Sequence, residues 1–105
     1  MKFSCEKALL SAAVSVASRA VAAKSSIPAM EGILIEAGSQ LRLTGYNLET
    51  GIQATVPAEI TQRGSLVLSA RLFGEIVRKM ADDVVVFSAE GYMVNIKCGL
   101  SEFNI

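Results

Sequence analysis

Two stretches of this 105-residue chain carry the same succession of patterns, and that repetition restricts the fold more than any other feature. Residues 64–80, GSLVLSARLFGEIVRKM, read as a short strand, a turn at Ser69 and a helix of two to three turns. With Ala70 at 0° and 100° per residue, Leu72, Phe73, Ile76, Val77 and Met80 fall between about 200° and 340°. Arg71 and Arg78 fall within about 20° of each other on the opposite side, beside Glu75 and Lys79. Residues 2–18 repeat the unit. Phe3 and Cys5 share one side of a strand, and a helix follows over about 7–18. There Leu9, Leu10, Ala13, Val16 and Ala17 form the apolar arc, and Lys7, Ser11, Ser15, Ser18 and Arg19 the polar one.

Leu66 and Leu68 answer Phe3 and Cys5 at an offset of 63, and Phe73, Ile76, Val77 and Met80 answer Leu10, Ala13, Val14 and Ala17 at the same offset. Three alternating runs follow each helix, as suits antiparallel strands with one buried face. In the first half they carry Ile33/Ile35, Leu41/Leu43 and Ile52/Ala54/Val56, ending at Pro57. In the second half Val84/Val86, Tyr92/Val94 and Phe103 are expected to answer them at an offset of 51, the drop of 12 matching an extra loop around residues 20–31. The fold class is therefore α+β: a duplicated β-α-β-β-β unit with two helices side by side against antiparallel sheets of six to eight strands. Ala13, Ala17 and Gly74 are expected to let the helices come close. Both polar helix faces should lie on one side.

The net charge is zero, but the charges are segregated. Residues 6–24 and 70–80 hold six basic against two acidic side chains, +4; the remainder holds four against eight, −4. The helical segments are basic and the strand segments acidic, so an anionic partner should meet the helices. For a single cationic stripe a solvated helix face is the ordinary reading; the duplication is what argues for more.

The residues also exclude chemistry. With no His, neither a serine triad nor a His-metal site can be built. No GxGxxG or GxxxxGK[ST] occurs. Asp82-Asp83 is the only acidic pair and reads as a helix end, not a two-metal site. Cys5 and Cys98 read as small core residues in a reducing compartment. Phe3, Phe73, Phe87 and Phe103 occupy core or strand positions and offer no stacking platform for single strands. No catalytic residue, metal or cofactor is expected. No apolar run approaches the roughly 20 residues of a membrane span, and MKFSCEK has no signal-peptide core, so no membrane contact and a cytoplasmic location are expected. The chain stops at Ile105 within an alternating strand, as a fragment of a longer protein would.

The opening MKFSCEKALL, the loop at residues 24–28, TGYNLETGI at 44–52, SARLFGEIVRKM at 69–80 and the terminal SEFNI resemble the first, N-terminal domain of the bacterial DNA polymerase III beta subunits, the sliding clamps. The resemblance covers residues 1–105. It implies one domain of a three-domain subunit, two subunits closing head to tail into a ring around duplex DNA. It implies processivity for a replicative polymerase without catalysis. By position, Lys24, Arg71 and Arg78 match DNA-facing basic residues. Phe103 and Ile105 match apolar edge-strand positions that meet the partner subunit. The polymerase and clamp-loader groove would lie in later domains. Ala22-Ala23 departs from the family, where glycines are common. The alternatives are a freestanding non-catalytic nucleic-acid-binding module, or an enzyme domain with an unrecognised site.

Overall fold

The computed structural model describes residues 1–21, 31–47, 49–81 and 83–105. The order is β1 (Lys2–Glu6), α1 (Lys7–Ser18), β2 (Gly32–Ala37), β3 (Leu41–Tyr46), β4 (Gly51–Val56), β5 (Glu59–Gln62), β6 (Gly64–Ser69), α2 (Ala70–Lys79), β7 (Val84–Glu90), β8 (Met93–Cys98) and β9 (Ser101–Asn104). The nine strands among the described residues exceed the expected six to eight. The one that pattern reasoning passes over is β5, EITQ, whose single apolar residue gives no alternation.

Both helices start directly from a strand. Ser69 caps α2, its Oγ accepting from the Leu72 N–H at 3.3 Å. No side chain caps α1; instead the Lys7 N–H donates to the Asp83 carbonyl at 3.0 Å, tying the start of α1 to the approach to β7.

The two sheets are antiparallel, with orders β5-β1-β7-β8-β9 and β4-β3-β2-β6. Each takes three consecutive strands from one half and the leading strand from the other, and the larger sheet adds β5 at its edge. Thus β1 lies beside β7 in the register Phe3↔Phe87, and β6 lies beside β2 in the register Leu66↔Ile35. The halves are interlocked by strand exchange, not merely set side by side.

The core lies between sheets and helices. Leu10, Ala13, Val14 and Ala17 of α1, and Phe73, Ile76, Val77 and Met80 after them, are all buried, as the repeat requires. Leu9 and Leu72, at the margin of each apolar arc, remain 40 % and 38 % exposed. Phe3 stacks on Phe87 with centroids 4.8 Å apart, and Phe73 of α2 meets the edge of Phe87 at 6.2 Å, which joins both halves in one aromatic cluster.

The strand register of the second half corrects the sequence reading. Val85 and Phe87, not Val84 and Val86, stand where Ile33 and Ile35 stand; the former pair is fully buried and the latter exposed. Val94 and Ile96, not Tyr92 and Val94, stand for Leu41 and Leu43. Tyr92 is fully exposed in the turn after Gly91, whose φ of 60° suits glycine. A one-residue slip reverses every side chain of a strand. Phe103, opposite Ile96, therefore answers Ala54, opposite Leu43, while Ile105 answers Val56.

Candidate nucleic-acid interface

The polar faces of α1 and α2 border a groove of about 1130 Å³. Ser11, Ser15 and Ser18 line it from α1, and Arg71, Gly74 and Arg78 from α2. Both arginines are exposed. Neither side chain has an ion pair or hydrogen bond: among the described residues the single salt bridge is Lys97–Glu102, on the far sheet. Among the described residues, Glu31 is the one carboxylate lining the groove. The arrangement is a shallow cradle with two unneutralised guanidinium groups, each able to present a fork of N–H donors to phosphate oxygens. Arg78 also sits with Lys79 in the last turn of α2, where the helix dipole favours cations. Arg19 and Lys79 are exposed but do not line the groove. Lys24 lies outside the described residues.

Small residues set the helix packing at a different place than expected. A Cβ at Gly74 would stand an ordinary 3.9 Å from Val14 of α1. The tight approach is instead at Gly45 of β3, where a Cβ would lie 1.7 Å from the Ala17 carbonyl oxygen. In the second half, the position of Gly45 is taken by Cys98, whose Sγ donates to the Ala81 carbonyl at 3.3 Å.

A second candidate surface is the open edge of β9. Phe103 is half-buried against the core, and Ile105 is 39 % exposed. Both lie on the inner face of the sheet, in line with Ile96 and Val94. Ile105 continues the ladder: it and Val94 exchange both backbone hydrogen bonds, at 2.9 and 3.3 Å.

Among the described residues no three His, Cys, Asp or Glu side chains gather as a metal site would require. Among the described residues no helix is long and apolar enough to cross a membrane. Burial, with a smaller effect from Cys98, pushes the Cys5 thiol up to about 11. The Asn95 amide and then the Lys97 ammonium hold the Glu102 carboxyl below its usual range.

A duplicated, strand-exchanged α+β domain with a cationic helix pair on one side and acidic sheets behind it is the fold of DNA sliding clamps. The chain belongs to the family of DNA polymerase III beta subunits, whose N-terminal domain model matches residues 1–105. It is 34 % identical to the beta sliding clamp of Bacillus subtilis over 115 aligned residues, covering 100 % of this chain and 30 % of that protein. It is 32 % identical to that of Streptomyces coelicolor, covering 100 % and 28 %. Among solved structures, the DNA polymerase beta subunit of Streptococcus pyogenes superposes with a TM-score of 0.93 at 30 % identity, over 100 % of this chain and 29 % of that one. The Bacillus subtilis sliding clamp superposes at 0.94 with 33 % identity, over 99 % and 30 %. The chain thus spans about three tenths of the length of its curated relatives.

Proposed function

We propose that this chain is the N-terminal domain of a three-domain clamp subunit, a non-catalytic processivity factor of DNA replication. Two subunits join head to tail, the ring encircles duplex DNA in the cytoplasm, and the replicative polymerase is tethered to it. Polymerase and clamp loader dock on segments outside residues 1–105. The observation that carries the reading is the groove itself: Arg71 and Arg78 stand without counter-ions on the helix side of a domain whose strand segments are acidic. Lys24, between α1 and β2 in sequence and outside the described residues, would supply a third cation. A clamp slides, so its contacts should be loose and to phosphates, without base readout.

Assembly uses β9. An open edge recruits strands unless it is covered, and Phe103 with Ile105 offers the apolar contact that makes one strand fit. Replacing Phe103→Asp with Ile105→Asp in the full-length protein should convert dimer to monomer in sedimentation. An unchanged dimer would place the junction elsewhere.

The DNA role is tested with Lys24→Ala, Arg71→Ala and Arg78→Ala combined in the full ring. The variant should fold and dimerise, load poorly and bind open primed DNA more weakly on two unrelated duplexes alike. Loss of three phosphate contacts should flatten the salt dependence by roughly 0.9 in log–log slope per contact. Unchanged binding would remove these residues from the DNA-facing surface, and a loss on one duplex alone would indicate base readout. Tight binding of duplex by residues 1–105 alone, well below the roughly 10⁻⁴ M end of the non-specific range, would favour a freestanding module.

A further inference from the structure

The open edge of β9 is held by side chains of the neighbouring strand, chiefly by one of them. Asn95 of β8 donates through Nδ2 to Glu102 Oε2 and to Asn104 Oδ1, both at 2.8 Å. Lys97 adds its Nζ at 3.5 Å from the same Glu102 oxygen. These contacts lie on the outer face of the sheet, opposite to Phe103 and Ile105.

The ladder shows why these two residues matter. In an antiparallel pair, residues that exchange both backbone hydrogen bonds alternate with residues that exchange none. Val94 and Ile105 exchange both. Continuing the register, Asn95↔Asn104 and Lys97↔Glu102 are the pairs that exchange none. Asn104 and Glu102 therefore turn their backbone N–H and C=O groups away from β8, toward the open edge. The residues gripped by Asn95 are the same two that carry the free backbone rungs.

We propose that Asn95 is a positioning residue for ring assembly: it holds the rungs at Glu102 and Asn104 in line for the incoming strand of a second subunit. This rests on the assignment of β9 as the subunit junction. The strand pairs on one side alone, so any ordering it lacks falls on the docking step, where it weakens association. An edge ordered in advance removes that cost. Asn95 touches no residue of the DNA groove, so its effect is on closure of the ring and not on its hold on DNA.

The test uses the full-length protein in four forms: parent, Asn95→Ala, Lys97→Ala, and Phe103→Asp with Ile105→Asp. Dimer dissociation is measured by sedimentation at nanomolar to micromolar concentration and by subunit exchange. Asn95→Ala should weaken each junction about tenfold, and a ring with two junctions about 100-fold, chiefly through faster dissociation. Lys97→Ala leaves both Asn95 bonds in place and should stay near the parent. In the Phe103→Asp, Ile105→Asp monomer, adding Asn95→Ala should leave the melting temperature unchanged, which a merely structural role would not. Amide exchange at Glu102 and Asn104 supplies a second reading on the parent and Asn95→Ala dimers, where Asn95→Ala should speed it. Monomers from the double aspartate variant together with parent-like dissociation of Asn95→Ala would overturn the proposal alone. If neither substitution affects the dimer, the assignment of β9 as the junction fails. A lowered melting temperature in the monomer background would reduce Asn95 to a stability residue and overturn the positioning role.

Discussion

Gly45→Ala gives the sharpest check on how the helix layer is seated. Gly45 is buried on β3 under the last turn of α1. A Cβ there would meet the Ala17 carbonyl oxygen at 1.7 Å, its carbon at 2.6 Å and Val21 Cγ2 at 3.2 Å. Real Cβ atoms essentially never approach closer than 3.0 Å, so the shortfall to the oxygen is 1.3 Å. The obstructing atoms are backbone, which cannot turn aside as a flexible side chain does. Either α1 lifts from the sheet along its last turn or β3 bends. Overpacking by one methyl in a tight site costs typically 1–3 kcal/mol, and a backbone obstruction belongs at the upper end, about 3 kcal/mol. For a domain of this size 1 kcal/mol corresponds to about 4–8 °C, so the melting temperature should fall by about 12 °C or more. Differential scanning calorimetry of this chain measures it. Gly38→Ala is the control, since a Cβ there meets nothing within 4 Å. If Gly45→Ala melts within 2 °C of Gly38→Ala, the close seating of α1 on β3 is wrong.

Further outcomes follow from other sites. Phe87→Ala removes the ring shared by Phe3 and Phe73 and should destabilise by about 3–5 kcal/mol, measured by urea unfolding. Cys5 should resist a thiol reagent at pH 8 until the chain unfolds, because its folded pKa is about 11 against a usual 9.0. The raised value favours the folded thiol, so its contribution is complete below about pH 9 and declines as pH rises toward 11; Cys5→Ala should lessen the alkaline loss of stability. Glu102 titrates below its usual range, so its stabilising contacts are present above that range and are lost as pH falls through the folded value. Asn95→Ala should move the Glu102 carboxyl resonance in an NMR titration back toward the usual value.

The helices were the most legible part of the sequence, and the reason is periodicity. Their apolar arcs and cationic stripe recur every 3.6 residues, so both helices and the alignment of Arg71 with Arg78 can be read from spacing. The β7 register could not. Val84, Val85, Val86 and Phe87 are apolar in succession, and a period of two cannot choose a face from an unbroken run. Tyr92 misled for a different reason: an aromatic residue in a turn looks like core until Gly91 is known to have a positive φ. The serine wall of the groove was visible as a polar arc, but only the packing of α1 against α2 brings it opposite Arg71 and Arg78. The grip of Asn95 on β9 had no signal in the pattern, because it depends on the strand register.

The strand exchange between the halves also dictates an order of events during synthesis. Among the described residues β1 pairs with β5 and β7 alone, and β7 is made about 80 residues later. Phe3 cannot stack until Phe87 exists. The hairpins of the first half can form early, but their sheet stays open beyond β2 until β6 is made. A nascent chain stopped after β4 therefore holds one whole β-α-β-β-β unit with neither sheet complete. Contacts this distant in sequence are slow to close, because the loop entropy is lost before the contact forms. Stalled ribosomes carrying residues 1–58 should present a protease-sensitive chain, and protection should appear in one step once β7 to β9 have emerged. The two halves are built alike, yet the exchange leaves neither a folding intermediate of its own.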